Sequence, residues 1–249
     1  MKELFRKLMN KKYFHISVII IIIAIILVIL GAVTLRYHVE GETNMPFNLS
    51  KITIISSSEG IDKEAGENRW AFNVNQNNDI FLYIEKNKNY EKDEAIKSVT
   101  IQNVQINKTS EKGEIALYHP DGLLESAIFS NKDENKVDVI EYTGDMDSDM
   151  KQMKISNQGG IVAFRYANNN IAEYISNDEE INHSNLLKKL EFKQEDLQAK
   201  LTFDIIIKVE SRKEYQATIS LDVPIENVIE NGTTSVEMTD LDNVVFKRI

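Results

Sequence analysis

Leu201-Thr202-Phe203-Asp204-Ile205-Ile206-Ile207-Lys208-Val209 places an apolar side chain at every second position, with polar residues between them except at Ile206. A period of two marks a strand with one buried face. A short charged turn, Ser211-Arg212-Lys213, follows. The alternation then resumes with Tyr215, Ala217, Ile219, Leu221 and Val223 against Gln216, Thr218, Ser220 and Asp222. The pair predicts an antiparallel hairpin with one solvated face. Ile206 stands alone among the outward positions. A strand covered on both sides would be apolar at more of them, so solvent is expected on that face.

Weaker versions of the same pattern lie upstream. Trp70, Phe72 and Val74 alternate with Ala71 and Asn73, and the turn-forming run Asn75-Gln76-Asn77-Asn78-Asp79 leads to Ile80–Ile84. Val162, Phe164 and Tyr166 lead through Asn168-Asn169-Asn170 to Ile171, Tyr174 and Ile175. Both read as hairpins, because asparagine tolerates the left-handed geometry of tight turns. In Val99, Ile101, Val104 and Ile106 the phase slips by one residue at Asn103, which predicts a β-bulge. Glu59–Arg69 and Asn131–Gly160 read as loop-rich, the latter broken by Val137–Tyr142.

Ser184–Leu190 has a capping serine and an apolar i, i+3, i+4 set, enough for one short helix. No amphipathic helices separate the strands, so parallel βαβ units are not expected. The fold expected for residues 37–249 is therefore an all-β domain, an antiparallel β-sandwich of roughly nine or ten strands with one short helix. No internal repeat or low-complexity linker divides it.

The N-terminal part differs in kind. Residues 1–12 carry five basic side chains and one acidic, net +4, and residues 13–35 carry no Lys, Arg, Asp or Glu. Ile16–Leu35 is an almost unbroken run of 20 residues of Ile, Leu, Val and Ala, about 30 Å as a helix and enough to cross a bilayer core. Tyr13 and Tyr37 flank it, as interfacial rings do. The expected division is a basic cytoplasmic tail (1–12), a transmembrane helix (13–36) and an extracytoplasmic domain (37–249), oriented by the positive-inside rule.

A cleaved signal peptide is the rival reading. The run is longer than a signal core, however, and its exit, Gly31-Ala32-Val33-Thr34-Leu35, has no Ala-x-Ala site. A pilin-type helix is disfavoured because no glutamate sits near its start. Beyond the span, Tyr37, Val39 and Phe47 read either as an edge strand or as a plain tether.

The chain has 249 residues and a net charge of −10, with 42% apolar residues and no cysteine. The composition belongs to an ordered protein. Lack of cysteine removes disulfides, thiolate zinc sites, thiol nucleophiles and lipidated cysteine anchors. Taking +4 from −10 leaves −14 on residues 36–249, which disfavours nucleic acid as a partner.

Few residues point to chemistry. Asp145, Asp147 and Asp149 alternate as calcium ligands do, but Met150 and Ser156 occupy the positions where an EF-hand needs Gly and Glu. They stand as weak metal candidates beside the plain reading of an acidic, solvated loop, and no other cofactor is indicated. His119-Pro120-Asp121-Gly122 sets a histidine beside an aspartate, yet Pro-Asp-Gly is itself a turn signal. His15, His38 and His183 have no metal-ligand spacing. Gly159-Gly160 opens no phosphate-binding motif, and no GxSxG or SxxK occurs. Asn48, Asn107 and Asn231 begin sequons, relevant only in a eukaryotic secretory pathway; the Asn, Lys and Ile bias looks bacterial. No catalytic residue is marked.

The expected function is a membrane-anchored binding or scaffolding module of a bacterial cell envelope. It would hold the bilayer through residues 16–35 and contact an envelope protein or wall polymer outside. The alternative is an envelope hydrolase acting on wall glycan or peptide through carboxylates without a sequence signature.

Overall fold

The computed structural model describes residues 11–63, 69–122, 127–176 and 182–249. They fall into two compact units, Met1–Thr43 and Asn44–Ile249. The basic residues Lys2, Arg6 and Lys7 lie outside the described residues.

The first unit is helix α1 (Lys11–Glu40), 30 residues long. Its Phe14–Glu40 stretch is long and apolar enough to cross a membrane, and its Ile, Leu and Val side chains are exposed. Tyr37 and Val39 belong to this helix and not to an edge strand. The stop signal is Gly41, which adopts a left-handed φ of 69° and donates its N–H to the Tyr37 carbonyl at 2.9 Å. A single bond of that kind ends a helix, and glycine adopts the conformation without a steric penalty.

The second unit is mostly β. Its strands are β1 (Phe47–Asp62), β2 (Trp70–Lys86), β3 (Ile96–Lys108), β4 (Glu114–Tyr118), β5 (Ile140–Asp145) and β6 (Lys154–Ser156), then β7 (Gly159–Ser176), β8 (Ala199–Val209), β9 (Glu214–Asp222), β10 (Thr233–Met238) and β11 (Lys247–Arg248). These form a five-stranded sheet in the order β10-β1-β2-β7-β4 and a six-stranded sheet in the order β11-β9-β8-β3-β5-β6. Pairing is antiparallel except between β5 and β6. Three one-turn helices are described: α2 (Leu186–Lys189), α3 (Gln194–Leu197) and α4 (Val228–Asn231).

The expected C-terminal hairpin is β8–β9, with Leu201 opposite Leu221 and Ile205 opposite Ala217. Ile206 is half-buried and packs into none of the hydrophobic clusters. The two sheets share one core. Ile52 and Ile54, Ile80 and Leu82, Val162 and Phe164 from the first meet Val99, Tyr142, Phe203 and Ile219 from the second. Phe164 and Phe203 meet edge to face with centroids 5.2 Å apart, a geometry that adds about 0.5–1.5 kcal/mol beyond burial.

Strands β1, β2 and β7 are 16, 17 and 18 residues long, longer than those of the other sheet. Their far ends build a second cluster, in which Phe72, Val74, Ile171 and Tyr174 lie against Leu186, Leu187, Phe192, Leu197 and Val228. The short helices thus cover apolar strand surface that would otherwise face water. The helix expected at Ser184–Leu190 is a 3₁₀ turn running into α2. Its cap is Asn182, whose side chain accepts the Ser184 N–H at 3.0 Å.

The bulge expected at Asn103 is present. Its φ is 54°, and the β3–β8 register shifts between Gln102 and Gln105. The two turns expected in the asparagine runs are absent. Asn75–Asp79 lies inside β2 and Asn168–Asn170 inside β7, and the two runs face one another across the ladder. The described part of Glu59–Arg69 is also mostly strand, since β1 runs to Asp62.

Candidate functional site

The asparagine runs pair as a polar belt across the middle of the long strands. Gln76 is opposite Asn168, Asn78 opposite Tyr166, and Asp79 opposite Arg165. Burying an amide is costly unless its donors and acceptor are matched, and the belt matches them on both faces of the sheet. Gln76 Nε2 donates to the Leu197 carbonyl at 3.1 Å, and Ser56 Oγ donates to Asn78 Oδ1 at 2.7 Å. Asn77 Nδ2 donates to Glu59 Oε2 at 2.6 Å. Side-chain pairing of this kind lets turn-forming residues sit in a central strand.

Asn169, Asn170 and Ile171 bulge out opposite the single residue Asn75. Asn170 takes a φ of 55°, and its N–H donates to Asn75 Oδ1 at 2.8 Å. The left-handed tolerance read from the sequence is therefore used here, by a bulge and not by a reversal of the chain.

A bidentate ion pair fixes the next rung. Arg165 Nε and Nη2 donate to Asp79 Oδ1 and Oδ2 at 2.6 and 3.0 Å, while Nη1 donates to Asn131 Oδ1 at 3.0 Å. The guanidinium also lies 5.2 Å from the centroid of Phe129. Phe129 is buried against Phe81 and Ala163. Arg165 thus ties the 127–136 segment onto the outer face of the five-stranded sheet. Asn131 Nδ2 continues the network to Asn77 Oδ1 at 2.8 Å and Asn169 Oδ1 at 3.0 Å, and Asn169 Nδ2 donates to the Tyr118 hydroxyl at 2.8 Å.

Beside this clamp lies a cleft of ≈ 390 Å³. Ile61, Asn73, Asn75, Asn169 and Asn170 line it from the long strands, Glu114 and Tyr118 from β4, and Asn131, Lys132, Asp133 and Lys136 from the clamped segment. Two carboxylates and two ammonium groups balance, so it carries no net charge. Asn131 and Asn169 are fully engaged, which holds the wall rigid. The Asn73 and Asn170 amides and Asn75 Nδ2 make no hydrogen bond among the described residues, and the Tyr118 hydroxyl accepts one bond with its own proton still to give. The cleft thus offers neutral donors and acceptors at fixed positions beside one apolar side chain, Ile61.

A second cavity, ≈ 520 Å³, lies at the Gly159-Gly160 end of β2 and β7. Its Lys86 already bonds Asp93 at 2.8 Å and Gln158 at 3.0 Å. The two glycines open β7 there and form no phosphate loop.

The residues singled out by sequence lie elsewhere. Asp145 ends β5 and pairs with Lys154 at 3.1 Å, which holds its carboxyl below the usual carboxylate range. Asp149 caps the following 3₁₀ turn by accepting the Lys151 N–H at 2.9 Å. With Asp147 they form no shared ligand set, since no group of three or more His, Asp or Glu side chains among the described residues is placed to hold a metal ion. His119 Nδ1 lies 2.7 Å from the Pro120 carbonyl oxygen, while the buried Asp121 accepts from Asn135 Nδ2 at 3.1 Å. Gly122 does not have a positive φ; a Cβ there would come within 2.5 Å of the Lys151 carbonyl oxygen, so close approach is what demands glycine. His183 packs edge-on against Phe72 at 5.0 Å.

Sequence reading missed Asn73, Asn75, Tyr118, Asn131 and Arg165 as a group. The available signal was the density of asparagine in two runs flanked by strand-forming residues. No protein family, curated protein or solved structure matches the chain.

Proposed function

We propose that the chain is a single-pass, membrane-anchored binding module of a bacterial cell envelope. Its N-terminus is cytoplasmic, and its two sheets form an antiparallel β-sandwich outside. The partner is an envelope protein or a wall polymer, and the cleft favours the polymer. The free side-chain amides of Asn73 and Asn170 and the free Asn75 Nδ2, beside the Tyr118 hydroxyl, carry this reading. Asn73 and Asn170 each offer both a donor and an acceptor and Asn75 a donor, which suits the hydroxyl and acetamido groups of a neutral glycan. Absence of net charge in the cleft argues against phosphate-rich or strongly cationic ligands. The apolar helix α1 supports the anchor.

A hydrolase is the second reading, because Glu114 and Asp133 both line the cleft. One experiment separates them. The full chain in lipid nanodiscs is titrated by calorimetry with soluble wall-glycan fragments, and the mixtures are checked for cleavage. Saturable binding without cleavage, weakened at least tenfold by Asn73→Ala, is the expected result. The Asn73 side chain makes no hydrogen bond within the described residues, and its backbone pairing does not depend on the amide, so truncation leaves the fold in place. Cleavage abolished by Glu114→Gln or Asp133→Asn would replace the binding module with the hydrolase, and no binding at millimolar fragment would refute both uses of the cleft.

A further inference from the structure

Four strands lie at sheet edges, and three of them are guarded. Exposed edges invite pairing with another chain, so folded proteins shorten, charge or cover them. Strand β6 has three residues and β11 has two, Lys247 and Arg248. Strand β4 is covered, since Val137 N–H donates to the Leu117 carbonyl at 3.0 Å and Tyr118 bridges to Lys136.

Strand β10 differs. Thr233-Thr234-Ser235-Val236-Glu237-Met238 holds no Lys and no Pro, pairs with β1 without a register shift, and has no strand on its other side among the described residues. Ser58 N–H donates to the Gly232 carbonyl at 2.8 Å, which sets the phase of the ladder. In antiparallel pairing the bonded positions alternate. Thr234, Val236 and Met238 therefore turn their backbone groups to β1, and Thr233, Ser235 and Glu237 turn theirs outward. Val236 is 41% exposed on this strand.

We propose that β10 pairs antiparallel with β10 of a second copy of this chain, across a two-fold axis at Val236. In that register Ser235 lies opposite Glu237 of the second copy, and both are outward-bonding positions, giving two reciprocal hydrogen-bonded pairs. Val236 meets its own copy at a non-bonded position, where side chains approach most closely. Thr234 lies opposite Met238. The charges agree: each Glu237 faces a serine, not its like-charged copy, and is already held by Lys51 at 2.9 Å. One strand pair buries less than the ~1,000 Å² of a stand-alone interface. The pairing therefore rests on the membrane anchor proposed above, because a shared bilayer raises the effective concentration.

The chain has no cysteine, so single-cysteine cross-linking gives a clean test. Non-bonded antiparallel positions bring Cα atoms to about 4.5 Å, within disulfide range. Full chain carrying Val236→Cys is placed in lipid vesicles, its insertion is checked by flotation, and it is mildly oxidised. Dimer should form at least tenfold faster than for Ser220→Cys, on the exposed face of β9. The cysteine-free chain should also give a dimer mass in native mass spectrometry from vesicles. Ser235→Pro, which removes an outward N–H that β1 does not use, should abolish that mass while leaving the unfolding transition in place. Equal cross-linking rates, or a monomer mass in chains that do float with the vesicles, would overturn the pairing. Failure to float would instead count against the membrane anchor.

Discussion

Tyr142 and Tyr166 sit in the same core, both fully buried, and burial pushes both hydroxyl groups to titrate above the usual tyrosine range. Their hydroxyls nevertheless do opposite things. The Tyr142 Oη donates to the Ala163 carbonyl at 2.8 Å and accepts the Ala163 N–H at 3.1 Å, so a residue of one sheet serves a backbone position in the other. The Tyr166 hydroxyl is buried with no hydrogen-bond partner among the described residues. Tyr142→Phe removes one oxygen but strands two buried backbone groups. At about 1–3 kcal/mol for each unsatisfied group, with some relaxation, the loss should be about 2–4 kcal/mol. Tyr166→Phe removes an uncompensated polar atom and should leave stability unchanged or raise it by up to about 2 kcal/mol. Urea unfolding followed through the single tryptophan, Trp70, measures both. A Tyr166→Phe variant less stable than Tyr142→Phe would refute the hydrogen-bond assignment that ties β5 to β7 across the core.

Asp79→Leu should cost about 3 kcal/mol in the same assay, because it leaves the buried Arg165 guanidinium without its bidentate partner. Most of that loss should return in Asp79→Leu/Arg165→Met, and a double variant no better than the single one would contradict the clamp. Ile206→Thr should change stability by no more than ~0.5 kcal/mol; a loss of ~2 kcal/mol or more would show a covered face. The Lys193 N–H and, secondarily, Lys112 hold Asp196 below the usual carboxylate range. A lowered folded-state value adds stability above the unfolded carboxylate range, and that stability is lost as acid carries the pH down through the folded value. Asp196→Asn should therefore flatten the acid limb of the stability profile, and an unchanged limb would sink the assignment.

Period-two alternation made β8 and β9 legible residue by residue, because each has one wet and one dry face and nothing else competes for their side chains. The bulge at Asn103 was legible for a related reason: a phase slip in an otherwise regular pattern has few other causes. The helix at the N-terminus was legible from length and apolar character. Its end was not read, although Gly41 was the signal.

The asparagine runs misled because the residues that favour tight turns in water also make good hydrogen-bonded ladders when a second run lies opposite them. Asn77 and Asn131 lie 54 positions apart in the chain. Local propensity carries no information about such a partner, and the cleft was invisible for the same reason. The aspartate cluster reads as an acidic, solvated loop with a metal site as the weaker alternative, and Lys154 and the Lys151 N–H engage two of its members locally.

Continuity of β2 and β7 through the asparagine runs is the claim from which the belt, the clamp and the cleft all follow. Hydrogen–deuterium exchange of the full chain tests it directly, read on peptides covering 75–79 and 168–170. Backbone amides there should exchange far more slowly than those of an open loop. Gln76–Asp79 and Asn168 continue the ladder of Ile80–Ile84, Asn75 and Asn169 pair with β1 and β4, and the Asn170 N–H bonds Asn75 Oδ1. Exchange at the rate of an open loop, with protection returning only at Ile80, would restore the hairpins and remove the cleft.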